Sequence, residues 1–460
     1  MWVITMKRKI YQDLLDWKNQ NLKQSLLVKG ARQVGKTYII KEFGKQEFKH
    51  VLYLNFEDQL DLRKAFDDMP NPKEAVQTLQ AFAITQNIFT IDGQETLIFL
   101  DEIQLCKRAY SLLKPLTETK RYRIIASGSL LGINLHGDYL DPGPTVKHLE
   151  MLPMDFEEFL WARRGESIDS VIQLIKQVAF QGEMIPLALH STFNQDIKDY
   201  ILVGGMPQVV HQFIQTNNLG EVFLAQEAIV SLYRSDIQQY QSSVDNKIKT
   251  LQCFDSIPHQ FAKDNHRFIY SVVEEKKTAR HFGNALDWLE RTGNAQKCYH
   301  IDHFRGSLMN GKGTMFKLYM NDIGLLVSML GKEYIYRIQN DELGLFKGAL
   351  YEQLLAQMIM AKKEKLYYTR FSDYEIDFLM EYEGAIVPIE CKSGGNTKSQ
   401  SLQQYIKKFQ PTLAWKISSN NINGENPIML AIPHYLFALC SILELVKLHP
   451  LVKDLRSTKQ

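Results

Sequence analysis

The string GARQVGKT, Gly30 to Thr37, constrains this chain more than any other stretch. It follows SLLVK (25–29), a short apolar run with the character of a buried strand, and precedes YIIKEFG, which has helical spacing. Strand, G-x-x-x-x-G-K-[ST] and helix, in that order, form a loop that wraps phosphate. Gly30 and Gly35 permit the backbone torsions that curl successive N–H groups around an anion. The helix starting near Lys36 adds the positive end of its dipole. Gly30, Ala31, Arg32, Gln33, Val34, Gly35, Lys36 and Thr37 are therefore expected to bind ATP, with Lys36 on the β and γ phosphates and the Thr37 hydroxyl on Mg²⁺.

A second element supports the first. TLIFLDE (96–102) is an apolar run ending in two carboxylates, which a buried parallel strand delivers to the edge of its sheet where ligands bind. Asp101 is expected to hold Mg²⁺ through water, and Glu102 to polarise the attacking water. HVLYLNFED (50–58) and RYRIIASGS (121–129) give further strands of the same sheet, with helical stretches between them. Ser127 or Ser129 stands where a polar sensor of the γ-phosphate is placed; an ordinary strand-ending turn explains each serine equally well.

Composition agrees with a globular chain. At 460 residues, 45% hydrophobic and 23% charged, with formal net charge +2, it is neither disordered nor a small disulfide scaffold. A chain of this length makes about three domains. The near-neutral charge imposes no whole-protein field toward nucleic acid or membrane. Five scattered cysteines without a CxxC pair predict a reducing compartment and no zinc site. The first residues lack the apolar stretch of a signal peptide, and Met6 offers a second start beside Met1. The most apolar segment, Ile428 to Val446, contains Pro433, His434 and Glu444, so strand, turn and core helix is expected there and a membrane span is not. A cytoplasmic protein is the expectation.

GARQVGKT, YLNFED, LIFLDEIQ, IIASGSLLG and EMLPMDFEEFLW occur in this order. In this the chain resembles the bacterial and archaeal AAA-type ATPases whose C-terminal part is known as domain of unknown function 4143. The resemblance runs from about Lys7 to about residue 410 and includes the blocks GGMP (204–207) and YRSDI (233–237). Those relatives carry Gly-Lys or Gly-Arg before the EMLPMDFEEF block; here Thr145-Val146-Lys147 stands in that place.

The middle of the chain reads as helices. Arg163, Arg164 and Arg234 are candidate arginine fingers acting in trans, against the alternative of solvated or salt-bridged arginines. ARHFGNALDWLERTGNAQKCYHI (279–301) and MFKLYMNDIGLLVSML (315–330) give helix, turn, hairpin and helix, the order of a winged-helix unit. Such units bind DNA or serve as packing modules. Asp287 and Glu290 on the candidate recognition helix weaken DNA readout.

The last third offers a second set of carboxylates. Helix GALYEQLLAQMIMAKK carries Glu352, strand EIDFLMEY carries Asp377, and strand AIVPIECKSG carries Glu390 and Lys392, as D-x(12)-E-x-K. This order resembles the PD-(D/E)XK nuclease-like superfamily. Glu390 and Lys392, two apart, share a strand face, and Cys391 points the other way into core. Glu352, Asp377 and Glu390 are expected to ligate Mg²⁺ or Mn²⁺, and Asp377, Glu390 and Lys392 to cut a phosphodiester. Lys407 and Lys408 follow on a helix and are placed to face a nucleic-acid backbone.

The expected architecture is α/β: an AAA-type P-loop NTPase domain (1–165), a helical and winged-helix-like middle (166–344) and a restriction-endonuclease-like α/β domain (345–460). The leading reading is an ATP-hydrolysing enzyme coupled to a nuclease-like domain acting on DNA or RNA, completed by a homo-oligomer or a protein partner. The alternative is a nucleotide-dependent switch whose C-terminal domain binds nucleic acid or protein without cleavage.

Overall fold

The structure, a computed structural model, describes residues 6–20, 24–67, 72–129, 143–241, 243–261, 267–301, 308, 315–344, 346–394, 399–424 and 427–449. Met1, residues 130–132 of the IIASGSLLG block and residues 395–398 of the loop after Lys392 lie outside them. The chain divides into two compact units. One comprises Lys7–Leu152 with Glu290–Asn294; the other comprises Met1–Met6, Pro153–Leu289 and Ala295–Gln460.

The first unit holds a wholly parallel sheet of β1 (Ser25–Lys29), β2 (His50–Asn55), β3 (Thr96–Asp101), β4 (Arg123–Gly128) and β5 (Val146–Glu150), in the order β2-β3-β4-β1-β5. A parallel sheet covered by helices buries both of its faces, which explains the unbroken apolar runs Leu26–Val28, Leu97–Leu100 and Ile124–Ala126. Leu52, Leu54, Phe56, Phe66, Leu100, Leu113 and Ile124 share its core. The order places β4 between β1 and β3, and so brings the phosphate loop, the Asp-Glu pair and the serines of β4 to one sheet edge.

The second unit combines helices with an eight-stranded mixed sheet. Its strands are β6 (Ala295–His300), β7 (Phe316–Met320), β8 (Tyr367–Arg370), β9 (Glu375–Tyr382), β10 (Ala385–Cys391), β11 (Ala414–Ser418), β12 (Asn423–Gly424) and β13 (Met429–Pro433). Their order is β12-β13-β11-β10-β9-β8-β6-β7.

Both expected domain boundaries shift. The first falls at Leu152/Pro153, not 165/166, because Phe156 and Phe159 on the helix Phe156–Arg164 pack against Tyr200, and Phe159 also stacks on Phe213. The break expected at 344/345 falls within a sheet. The hairpin expected to form a wing, β6 and β7, pairs through Tyr299↔Tyr367 and His300↔Tyr368 with β8 and extends the C-terminal sheet. The helix before it, Ala279–Arg291, buries Phe282, Leu286 and Leu289, while Asp287 forms an ion pair with Lys297 of β6.

The GGMP block has a structural explanation. The Gly205 N–H donates to Asp322 Oδ2 at 2.6 Å, and Asp322 Oδ1 caps the helix Ile323–Leu330 by accepting from the Leu325 N–H at 3.0 Å. A Cβ at Gly204 or Gly205 would run into the Asp322 carboxylate or the Met154 backbone. Burial pushes the Asp322 carboxyl up to about 6, against the donors that hold it down. The segment Ile428–Val446 forms β13 and two short helices, His434–Leu439 and Ile442–Leu448. Among the described residues no helix is long and apolar enough to cross a membrane, and the five cysteines are free thiols.

Candidate functional site

The phosphate loop leaves β1 at Gly30 and enters the helix Lys36–Glu47. A Cβ at Gly30 would collide with the Met151 carbonyl, so only glycine lets the chain turn there. Gln33 (φ 67°) and Gly35 (φ 96°) are left-handed, the alternation that turns backbone N–H groups toward one point. Lys36 Nζ donates to the loop carbonyls of Gly30 (3.0 Å) and Ala31 (2.8 Å). Arg8, buried, donates to the Val34 carbonyl at 2.8 Å and the Leu152 carbonyl at 2.7 Å, bracing the loop from behind.

Asp101 ends β3, buried at the strand edge. Its Oδ2 accepts from the Thr37 hydroxyl at 2.8 Å and the Tyr53 phenol at 3.1 Å. Its Oδ1 accepts from the Ser127 hydroxyl and from the Glu102 N–H. Burial, together with the Asp101 charge, holds the Tyr53 phenol well above its ordinary value, so it stays a donor. Ser127 was one of two sensor candidates; its buried hydroxyl orients Asp101. Ser129 lies 3.4 Å from Glu102 Oε2, and Gln104 Nε2 donates to the same oxygen at 2.6 Å. Glu102 itself is left-handed (φ 51°), a conformation that costs a non-glycine residue on the order of 1 kcal/mol and recurs at functional sites.

The donor set fits Mg²⁺. A hydroxyl and a carboxylate oxygen 2.8 Å apart are hard oxygen ligands on neighbouring elements. Their mutual hydrogen bond closes the space in which a cation and its water would sit.

The C-terminal sheet gathers the second set. Glu352 on the helix Phe346–Ala361, Asp377 on β9 and Glu390 on β10 interact electrostatically. Sequence reasoning missed Lys317, Tyr319 and Glu375. Lys317 Nζ, on β7, lies 2.7 Å from Glu352 Oε1 and 2.6 Å from Glu375 Oε1, and the Tyr319 hydroxyl also donates to Glu352 Oε1. Burial works against the Lys317 ammonium, but Glu352, Glu375 and Asp377 outweigh it and hold its pKa well above the ordinary value. Asp377 Oδ2 accepts from the Cys391 N–H at 2.8 Å. Glu390 is held by Lys392 Nζ at 2.6 Å and by the Leu402 N–H at 3.3 Å. Burial first and Glu352 second push the Asp377 carboxyl up to about 7.

The structure brings the expected ligands Glu352, Asp377 and Glu390 together, since Asp377 feels the charge of both of the others. Among the described residues no group of three or more His, Cys, Asp or Glu is arranged to hold a metal ion. Glu352 and Glu390 each meet an ammonium group, that of Lys317 and that of Lys392. Cys391 Sγ lies 3.9 Å from His434 Nε2, and its thiol still feels the charges of Asp377 and Glu352.

Each arginine-finger candidate is paired. Arg163 bridges Asp196 (3.2 Å) and Asp199, Arg164 meets Asp196 at 2.7 Å, and Arg234 meets Asp255 at 2.9 Å. Lys147 lies on the edge strand β5 beside Leu26.

Comparison with known proteins agrees with this geometry. Residues 22–160 match the family described as AAA domain, 347–428 match domain of unknown function DUF4143, and 194–334 match a further domain of unknown function, DUF8612. The chain thus carries an AAA domain over residues 22–160 and a DUF4143 region in its last third, and its first site has the phosphate loop of the P-loop ATPases, which bind nucleotide with Mg²⁺. It is 22% identical over 398 residues to the uncharacterized protein MJ1544 of Methanocaldococcus jannaschii, covering 84% of this chain and 78% of that one. A second uncharacterized protein of that organism, MJ1637, is 25% identical over 191 residues, 40% of this chain and 38% of its own. Among solved structures, the Walker-type ATPase PABY2304 of Pyrococcus abyssi aligns with TM-score 0.44 and 13% identity over 71% of this chain and 96% of that chain. The Aeropyrum pernix ORC1 protein, in complex with DNA, aligns with TM-score 0.30 and 11% identity over 73% and 96%.

Proposed function

We propose that this protein binds and hydrolyses MgATP at its phosphate loop, and that its C-terminal nuclease-like domain engages nucleic acid without cutting it. The observation that carries the first half is the convergence of Thr37, Asp101, Ser127 and Glu102 at one sheet edge, beside the loop that Lys36 closes. ATP phosphates replace the Gly30 and Ala31 carbonyls as partners of Lys36. Mg²⁺, when bound, is held by Thr37 and, through water, by Asp101, and neutralises charge on the β and γ phosphates. Glu102, oriented by Gln104 and Ser129, accepts a proton from the attacking water. Ser127 and Tyr53 fix Asp101, so its orientation is set before nucleotide arrives. An arginine supplied in trans by a second copy or a partner protein completes the site.

The ammonium groups on Glu352 and Glu390 favour binding over cleavage in the C-terminal domain. The exposed end of an aromatic group beside β9, at Phe409, supports nucleic acid as the ligand, while Tyr405 belongs to the core and Phe371 and Tyr374 pack against it. Phe371 stacks on Tyr374 with ring centroids 4.5 Å apart, Tyr405 and Phe409 extend the group, and the Lys408 ammonium lies 4.6 Å over the Phe371 ring. Aromatic faces with basic groups hold single strands by stacking and charge. Asp377 on β9 and Glu390 on β10, with Lys392 just past the end of β10, favour the cutting reading.

Purified chain with labelled single- and double-stranded DNA and RNA, with Mg²⁺ or Mn²⁺ and with or without ATP, decides between the two. Binding without cleavage, weakened in Phe409→Ala and Lys408→Ala, is expected. Cleavage lost in Glu390→Ala reinstates the nuclease, and absence of binding to any strand removes nucleic acid as ligand.

A further inference from the structure

We propose that Lys317 is the resident cation of the C-terminal carboxylate cluster and keeps divalent metal away from Glu352 and Asp377. In the strand FKLYM (β7), Lys317 is 1% exposed between apolar neighbours. A buried ammonium persists only where carboxylates surround it. Here Glu352 and Glu375 each lie within 2.7 Å of Nζ, and Tyr319 donates a further hydrogen bond to Glu352. A divalent cation shared by Glu352 and Asp377 would stand beside this ammonium and be repelled by it. Expelling Lys317 requires moving a charged side chain out of a buried place in the sheet. The cluster therefore carries its counter-charge in the protein.

This inference rests on the non-cutting reading of the domain and deepens it, and the two fail separately. Metal bound without cleavage sinks the inference alone; cleavage without bound metal at this cluster sinks the reading alone.

The test is Mn²⁺ titration, followed by electron paramagnetic resonance, of the nucleotide-free full chain carrying Asp101→Asn, which silences the phosphate-loop carboxylate. This chain is expected to show no Mn²⁺ site that a further Asp377→Asn change abolishes. Lys317→Met is expected to create such a site, with affinity at least ~100-fold above the parent, since a like charge a few Å away is removed. An Asp377-dependent site already present with Lys317 in place overturns the proposal, as does a folded Lys317→Met chain that gains none. Should Lys317→Met fail to fold, acetylation mapping of the parent chain decides. Lys317 is expected to stay unreactive with and without Mn²⁺, and reactivity appearing with Mn²⁺ overturns the proposal.

Discussion

The two charged sites of this molecule differ in what neutralises their carboxylates. Asp101 is held by neutral donors: the hydroxyls of Thr37, Tyr53 and Ser127 and the Glu102 N–H. Lys36 nearby donates to backbone carbonyls of its own loop. In the C-terminal cluster Glu352 and Glu375 meet Lys317, and Glu390 meets Lys392. The first site keeps its charges for a ligand that brings both a cation and an anion. The second pairs Glu352, Glu375 and Glu390 with lysines of its own and leaves Asp377, raised to about 7, on the Cys391 N–H. The comparison teaches that counter-charges, and not spacing alone, bear on whether a carboxylate cluster takes a metal.

The largest expected effect is at Lys36. Lys36→Ala should weaken MgATP binding at least ~100-fold, because a charge-assisted contact to two phosphates is lost. Calorimetric titration checks this, and unchanged affinity would remove the phosphate assignment. Glu102→Gln should leave ATP affinity nearly intact while lowering turnover on the order of 10²–10³-fold, the usual range for a lost general base. Equal loss in binding and turnover would make Glu102 a positioning residue instead. Ser127→Ala should be milder, about tenfold in turnover with a raised Mg²⁺ requirement, since Asp101 keeps its other donors. A Mg²⁺ titration of activity reads that shift.

At the second site the expected readout is stability. The Asp377 carboxyl is raised from 3.8 to about 7 in the folded chain, by burial first and Glu352 second. Protonation therefore stabilises the fold fully below the unfolded value, and that stability is lost as pH rises through about 7. Asp377→Asn stays neutral, so its melting temperature should exceed the wild type's by about 5 °C at pH 8, with the gap closing toward pH 4. A lower melting temperature at pH 8 would mean that the Asp377 charge is itself stabilising. The smallest effect belongs to Arg234→Ala. An exposed ion pair contributes ~0–1 kcal/mol, so ATPase activity should change less than about twofold. A large loss of turnover with MgATP affinity intact would return Arg234 to the arginine-finger role.

Sequence made the first site almost wholly legible, because its parts are local motifs. Gly30 to Thr37 and Asp101-Glu102 carry their chemistry in short strings whose context, strand then helix or strand then turn, is itself local. What it did not show are Arg8 and Tyr53, whose partners lie 26 and 48 residues away. The second site was half legible. Glu352, Asp377, Glu390 and Lys392 follow each other along the chain, but Lys317 reaches them through the sheet order β7-β6-β8-β9, which no local pattern announces. One signal was present: a lysine inside the apolar run FKLYM needs a carboxylate partner. The same sheet order turned an expected wing into the edge of the C-terminal sheet, since hairpin periodicity says nothing of which strand the hairpin joins.

The central claim is that one site takes a divalent cation and the other already holds its own. Counting Mn²⁺ bound per wild-type chain by electron paramagnetic resonance, at saturating non-hydrolysable ATP analogue, tests it most directly. A single nucleotide-dependent Mn²⁺ is expected, lost in Asp101→Asn and untouched by Asp377→Asn. A second Mn²⁺ that Asp377→Asn removes would contradict it.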